Sequence, residues 1–335
     1  MARDIRVVIV GAGQLGSRHL QALALTKLPL TVEVMDVSAE SLTVAEARWH
    51  EMPTNPLVSG VKFVRSIDEL TPEIDVAIVA TGSMGRLAVT KQLLETKRVK
   101  YMILEKFLFP RLSDFDEAQR LIDAAGVKVF VNCGRRRRKF YNRMRELFRG
   151  EKKFFMSVSG ANWGLGCNAI HMLDLYSFLS DQKIFSSDIE YLDADHIDSK
   201  RKGYIEFTGS LRVKSPKGTL LLTSYAPSLF DLTGGGPPNV IAFNSEHFYC
   251  VVEEGKRRAK LFNRHDDGWQ WDDFEVDSKM QSQVTQNLVE QLIETGSLEL
   301  PTYEESAALH KVLLTGFLNQ LNADGRERVE LCPIT

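Results

Sequence analysis

Val7-Val8-Ile9-Val10-Gly11-Ala12-Gly13-Gln14-Leu15-Gly16 joins a β-branched run to a stretch of helical spacing through three glycines. A G-x-G-x-x-G pattern alone is a weak signal. Here it follows a strand, opens a helix over residues 14–26, and is followed by an acid, Asp36, about 20 residues past its last glycine. That context gives each part a task. Gly11 permits the tight turn, Gly13 lets backbone approach a pyrophosphate, and Gly16 lets helix and strand pack closely. The helix start, with Gln14 and Leu15, presents its positive end to the anion. Asp36 is expected to accept bonds from the adenosine ribose hydroxyls and to repel a 2′-phosphate, so NAD is expected in preference to NADP.

Outward from this turn, apolar runs alternate with helical patterns. Strands are expected at 31–35, 62–64, 75–81, 101–104 and 127–131. Helices are expected at 38–50, 84–95 and 113–125, the last with Ser113 and Asp116 spaced like a capping box. The run at 75–81 (DVAIVAT) is almost continuously apolar, as befits a strand covered on both faces. The repeat predicts an α/β fold whose N-terminal part is a Rossmann doubly wound parallel sheet. Thr81 and Gly82 follow the strand past the crossover point, where ligands of open α/β sheets bind, and are candidates to line the ribose and nicotinamide.

The character changes near Cys133. Segments 151–159, 204–213, 219–225, 247–252 and 258–262 read as longer alternating strands, the pattern of an antiparallel sheet with one solvated face. A helix is expected at 168–179, a loop at 231–238 (DLTGGGPP), and two closing helices at 284–294 and 303–323. The expected division is an NAD-binding Rossmann domain over 1–132 and, over 133–335, an α/β domain with an open, mostly antiparallel sheet for substrate binding and oligomerisation.

Bulk properties narrow the function classes. With 335 residues, two domains are expected. A net charge of −2 provides no global field for nucleic acid or an anionic membrane, so neither is expected as a partner. The chain starts Met-Ala-Arg-Asp-Ile-Arg straight into a strand, without a signal-like segment, and no apolar run of about 18 residues occurs, so a cytoplasmic location is expected. Cys133, Cys167, Cys250 and Cys332 are far apart and form no CxxC pair; neither a metal site nor a disulfide framework is expected.

Three later motifs carry a family resemblance. Leu104-Glu105-Lys106 ends a strand, with Pro110 soon after. Gly134-Arg135-Arg136 follows the sixth strand, before Tyr141. Gly166-Cys167-Asn168-Ala169-Ile170-His171-Met172-Leu173-Asp174 opens a helix. In this order the chain resembles the Gfo/Idh/MocA family, relatives of glucose–fructose oxidoreductase and inositol dehydrogenase, over nearly its whole length. The resemblance implies an NAD(H)-dependent oxidoreductase that moves a hydride to or from a carbinol or ketone of a sugar, cyclitol or nucleotide-sugar substrate. It also implies a homodimer or homotetramer built by pairing of exposed sheets. The family's Glu-Lys-Pro motif falls on Glu105, Lys106 and Phe107, and its Asp-x-x-x-His pair on Cys167 and His171. Phe107, Gly134 and Cys167 thus depart from the usual proline, asparagine and aspartate.

On that resemblance His171 is the candidate acid/base, since imidazole titrates near working pH. Asp174, three residues on along the same helical face, is its candidate support. Lys106 is the candidate electrostatic clamp for developing alkoxide charge, and Glu105 a cofactor-proximal or structural residue. Arg135, Trp163, Cys167 and Asn168 are candidate substrate contacts. Read without the resemblance, His171 is an ordinary packed or surface histidine. The run Arg135–Arg138 with Lys139 reads first as a salt-bridged helix start, second as a contact for an anionic substrate. Trp163, Trp269, Trp271 and Tyr225 could floor a sugar pocket, although core packing is the commoner use of such rings. Two other functions fit the departures: a non-catalytic NAD(H)- and sugar-binding sensor or regulator, and a reductase of an imine or tetrapyrrole.

Overall fold

In the computed structural model, residues 4–225, 239–264, 270–278, 280–323 and 328–335 are described. The expected loop at 231–238 and Trp269 lie outside them. The chain divides into two compact units, one of residues 1–109, 113–132 and 279–304, the other of 110–112, 133–278 and 305–335.

The first unit begins with the β-branched run. β1 (Ile5–Val10), α1 (Gln14–Leu23), β2 (Leu30–Met35), α2 (Ala39–His50), β3 (Val58–Val64), β4 (Glu73–Val79), α3 (Ser83–Thr96), β5 (Arg98–Leu104), α4 (Leu112–Ala125) and β6 (Lys128–Val131) follow in order. Their six strands lie in the order β3-β2-β1-β4-β5-β6, every pair parallel. This is the doubly wound sheet that the alternation predicts. Strand order reverses between β1 and β4, and the glycine turn leaves the carboxyl end of β1 beside that switch point. Val8, Ile9, Val10, Val76, Ala77 and Ile78 are completely buried, which explains runs with no polar alternation.

Boundaries shift for local reasons. α1 stops at Leu23 because Leu25 and Thr26 bond three residues back, to Ala22 and Leu23, in a tightened last turn ahead of Pro29. α2 starts where Ser38 caps it, its hydroxyl accepting from the Ser41 amide at 3.1 Å. β3 is longer than expected because its pairing to β2 carries through Gly60, a residue that weakens the strand pattern.

The second unit holds α5 (Lys139–Phe148), β7 (Phe154–Ala161), α6 (Leu165–Ser180), β8 (Ser186–Leu192), β9 (Ile197–Asp198), β10 (Ile205–Glu206), β11 (Gly209–Ser215), β12 (Gly218–Tyr225), β13 (Val240–Ser245), β14 (Phe248–Glu253), β15 (Arg258–Asn263) and β16 (Trp271–Glu275). Eight of these strands form one sheet in the order β16-β15-β14-β13-β7-β12-β11-β8. Its pairs are antiparallel except β7 with β12. One face is buried, with Phe154, Met156, Val158, Leu222, Ile241 and Phe243 inward; the other exposes Phe155, Leu221, Tyr249 and Trp271.

The segment expected as one strand at 204–213 is two. Glu206 turns its carboxylate to the amides that open α6, and Gly209, at φ +90°, re-aims the chain into the sheet. β8, β13 and β16 are unanticipated; β8 and β16 carry acids (Asp188 and Glu190; Asp272, Asp273 and Glu275) that hide a strand pattern, and both are edge strands, where charge is common.

After β16 the chain re-enters the first unit. There α7 (Thr285–Thr295) packs Leu288, Val289 and Leu292 against Val7, Ile9, Leu20 and Leu23. The Val131 amide bonds the Pro301 carbonyl at 3.0 Å. α8 (Tyr303–Leu321) is the last helix. No helix among the described residues is long and apolar enough to cross a membrane.

The second unit's core is aromatic at its centre. Phe154 packs against Phe148 (5.0 Å between ring centroids), Tyr176 (5.5 Å) and Phe243 (6.2 Å). Phe154→Ala removes the ring the other three share and should lower unfolding stability by about 3–5 kcal/mol. Urea denaturation checks this, and a change under 1 kcal/mol would contradict the packing.

Candidate functional site

In the first unit, Gly11 adopts φ +99°, and a Cβ there would come within 2.8 Å of the Thr81 nitrogen. At Gly16 a Cβ would lie 1.7 Å from the Gly11 carbonyl oxygen, inside covalent range of non-bonded atoms. At Gly13 a Cβ would meet no atom within 4 Å. The three glycines therefore differ: two are demanded by the fold, and one opens a surface. Gly13 caps α1 without a side-chain acceptor, and no acid lies in the first turn. Its opening amides remain to receive an anion at the positive helix end. The cradle fits a pyrophosphate. Gln14 points its side chain elsewhere, accepting from Arg48 at 2.8 Å.

Asp36 follows β2. One carboxylate oxygen accepts from the Ala12 amide at 2.7 Å and the other from the Ser38 amide at 2.8 Å. It thus braces the glycine turn from below, a task not read from its sequence spacing. A carboxylate retains further lone pairs for hydroxyl donors.

Thr81 and Gly82 form the turn between β4 and α3, with Gly82 as N-cap. The Thr81 carbonyl accepts from Arg86, whose guanidinium, 1% exposed, also donates to the carbonyls of Phe107 and Leu108. Glu105 ends β5 almost wholly buried. Its Oε1 accepts from His19 Nε2 at 3.0 Å and from Asn132 Nδ2 at 2.5 Å. His19 Nδ1 lies 2.8 Å from Thr285 Oγ1, and Gln281 bridges Asn132 and Thr285. Burial works to raise the Glu105 carboxyl, but His19, then Asn132 and the Lys106 charge, outweigh it and hold it below its ordinary value. Lys106 is half-buried, and its peptide bond to Phe107 is cis.

Sequence reasoning did not single out His19 or Arg86. The signal was helical phase: His19 falls with Gly16, Leu20 and Leu23 on the buried stripe of α1, and Arg86 with Ser83, Thr90 and Leu93 on that of α3.

In the second unit, α6 starts earlier than expected, at Leu165, after Gly164 at φ +74°. Glu206 accepts from the amides of Gly166 (2.7 Å) and Cys167 (3.3 Å), an acid at the helix's positive end. Trp163, Cys167 and Asn168 come together here. Asn168 Nδ2 donates to the Trp163 carbonyl at 2.7 Å, the Cys167 thiol to that of Gly164 at 3.5 Å, and the Trp163 indole to that of Thr223 at 2.8 Å. His171 lies one turn further along, partly exposed. Asp174 is fully buried; its Oδ2 accepts from Arg136 Nε at 2.9 Å, and its Oδ1 forms an ion pair with Arg136 Nη2 at 2.7 Å. Burial pushes its carboxyl up to about 6 against the pull of Arg136.

The basic run is an ion-pair network. Arg135 donates to Glu254 at 3.1 and 2.7 Å, and Arg138 and the Tyr141 hydroxyl reach the same carboxylate at 2.5 and 2.6 Å. Arg136 also pairs with Glu305 at 3.4 Å. Of the expected aromatic grouping, Tyr225 lies beside the Trp163 segment, its carbonyl accepting from the Asn162 amide at 3.0 Å, whereas Trp271 lies on β16 against Tyr249, four strand spacings (about 19 Å) from β7, the strand preceding Trp163. Among the described residues no three His, Cys, Asp or Glu side chains gather as metal ligands.

Comparison with known proteins agrees with this geometry. Residues 5–133 match the GFO_IDH_MocA family, an oxidoreductase family with an NAD-binding Rossmann fold. The match falls on the Rossmann segment and agrees with the family that the resemblance implied. No curated protein matches the sequence. In fold the chain is similar to UDP-N-acetylglucosamine 3-dehydrogenase GnnA from Acidithiobacillus ferrooxidans (13% identity, 94% of this chain and 97% of that one, TM-score 0.68). It is similar to a super-repressor mutant of Gal80p from Saccharomyces cerevisiae (14%, 96% and 97%, 0.71). It is also similar to biliverdin reductase from Synechocystis sp. PCC 6803, in complex with biliverdin and NADP+ (14%, 93% and 98%, 0.66).

Glu254 makes acid sensitivity predictable. Burial alone would raise its carboxyl, but Arg135, then Arg138 and Tyr141, hold it at about 2 against an ordinary 4.5. A depressed acid contributes stability that is complete above the unfolded value and is lost as pH falls from about 4.5 towards about 2. Glu254→Gln should therefore be less stable at neutral pH and show a shallower loss through that window. Parallel urea midpoints for the two proteins from pH 5 downwards, to about pH 2, would contradict the pairing.

Proposed function

We propose that the protein is an NAD(H)-dependent oxidoreductase acting on a carbinol or ketone of a sugar, cyclitol or nucleotide-sugar substrate. The observation that carries this is the open approach at Gly13 beneath the uncapped start of α1, in a segment matching an NAD-binding oxidoreductase family. The carbohydrate class is supported by the likeness to GnnA, a nucleotide-sugar dehydrogenase by name. NAD is favoured over NADP because the Asp36 carboxylate opposes a 2′-phosphate.

The dinucleotide would be held by Gly11, Gly13, Gln14, Leu15, Gly16, Asp36, Thr81, Gly82, Glu105 and Lys106. Its nicotinamide supplies hydride transfer. The chain's own residues do the rest. His171 takes the hydroxyl proton in oxidation and returns it in reduction. Lys106 stabilises charge on the substrate oxygen. Asp174, locked by Arg136, holds the face of α6 from which His171 projects. Trp163, Cys167 and Asn168 contact the substrate, with a thiol in place of a carboxylate at Cys167; Arg135 contributes only as far as its bonds to Glu254 allow. The open face of the eight-stranded sheet pairs copies of the chain into a dimer or tetramer, because its exposed rings and Leu221 are otherwise wetted.

Two observations favour a second reading. Gal80p, by name a repressor, shares the fold, and Cys167 lacks the acid expected beside the histidine. On this reading the chain binds NAD(H) and a sugar and reports to a protein partner without turnover. The biliverdin reductase likeness keeps a tetrapyrrole as a third substrate class.

The test is nicotinamide absorbance with NAD(H) and NADP(H) across sugars, cyclitols, sugar acids and sugar nucleotides. Turnover is expected with one class, falling by about 10²–10⁴-fold in His171→Asn and in Lys106→Ala. Cofactor binding without turnover across the panel favours the regulator. Gly13→Ala should fold with an unchanged Tm and bind NADH more weakly; unaltered binding would remove the turn from the site. Tyr249→Glu with Trp271→Glu should convert the assembly to monomers in light scattering, and an unchanged mass would exclude that face.

A further inference from the structure

We propose that His19 and Arg86 are positioning residues that fix the Lys106 side chain, one through each of the lysine's neighbours in the chain. The proposal rests on the role given to Lys106 above.

On the amino side the neighbour is Glu105. Its carboxylate is gripped by His19 Nε2 at 3.0 Å and Asn132 Nδ2 at 2.5 Å. His19 has no exposed surface, and its other ring nitrogen is 2.8 Å from Thr285 Oγ1. An ionised carboxylate only accepts, so Nε2 is the protonated nitrogen and the ring orientation is set. On the carboxyl side the neighbours are Phe107 and Leu108. Arg86 donates to both carbonyls, and with the same guanidinium to the Thr81 carbonyl in the turn after β4. A guanidinium carries five donors in a rigid plane and can tie two loops in one fixed geometry; an ammonium offers three donors on a single atom and no such fork. Burying that cation among carbonyls is costly, so its location calls for a reason. The reason we infer is that a flexible four-carbon side chain can be aimed only if the backbone on both sides is immobile.

The experiment uses the full chain and four substitutions. His19→Gln keeps a side-chain N–H that can reach Glu105, and His19→Leu fills the space without a donor. Arg86→Lys keeps charge without the fork, and Lys106→Ala removes the residue being positioned. Three quantities are read beside thermal melting: NADH affinity by fluorescence, kcat and KM on the substrate found in the absorbance screen, and the acylation rate of Lys106 by a small N-hydroxysuccinimide ester at fixed pH. The last is followed by mass spectrometry against exposed Lys91.

His19→Leu and Arg86→Lys should lower kcat by about 10- to 100-fold with KM little changed, and should alter Lys106 acylation but not that of Lys91. His19→Gln should restore most of both. Unaltered acylation and kcat in folded His19→Leu and Arg86→Lys overturn the proposal, as does a His19→Gln variant no better than His19→Leu. If Arg86→Lys fails to fold, the two His19 variants decide. If Lys106→Ala leaves kcat unchanged, the role of Lys106 fails by itself, and acylation still decides whether His19 and Arg86 hold its side chain.

Discussion

The carbonyl oxygen of Gly11 occupies the place where a Cβ at position 16 would have to be, 1.7 Å from it. No side chain larger than hydrogen is compatible with that contact. Because the contact exists, α1 lies directly on the end of β1, and its first turn opens at the carboxyl edge of the sheet. β4 sits within the same constraint, since the Thr81 nitrogen is 2.8 Å from where a Gly11 Cβ would be. One steric fact thus draws together the first crossover, the switch point and the anion-ready helix start. Asp36 adds a polar brace from β2 by accepting from the Ala12 amide.

Around this frame each unit contains buried or half-buried acids that organise what lies near them. In the first unit Glu105 collects His19 and Asn132; in the second Glu254 collects Arg135, Arg138 and Tyr141, and Asp174 collects Arg136. Buried charge is tolerated when geometry and hydrogen bonding are complete, and removing one partner is then costly. The three acids differ in outcome. Donors win over burial at Glu105 and Glu254, whereas burial wins at Asp174, where Arg136 opposes it alone among the larger influences and Glu305 works with burial. The same physics therefore keeps two carboxylates ionised and leaves the third near the middle of the titration range.

Legibility followed the range of the interaction. β1, α1, β2 and α2 were readable because hydrophobic period, a serine cap and turn glycines all act within a few residues. The sheet of the second unit was readable at β7, β12, β14 and β15, and not at β8, β13 or β16; acids break the pattern in β8 and β16. Lys106, His171 and Asp174 were marked by order along the chain. Their surroundings were not: the guanidinium facing Asp174 comes from a basic run that looks, as letters, like a solvated or anion-binding segment.

The sequence by itself determined the doubly wound parallel sheet, the glycine turn and its acid, and the family that the Rossmann segment matches, because those features are written in spacing. Tertiary structure alone decided that residues 279–304 complete the first unit's core, that the arginine run is neutralised by Glu254 and Asp174, and that His19 and Arg86 flank Lys106. The physical reason is separation along the chain. His19 meets Glu105 across 86 positions and Thr285 across 266, and Arg135 meets Glu254 across 119. Which charges are paired, and which helical face is buried, are settled only when distant segments pack.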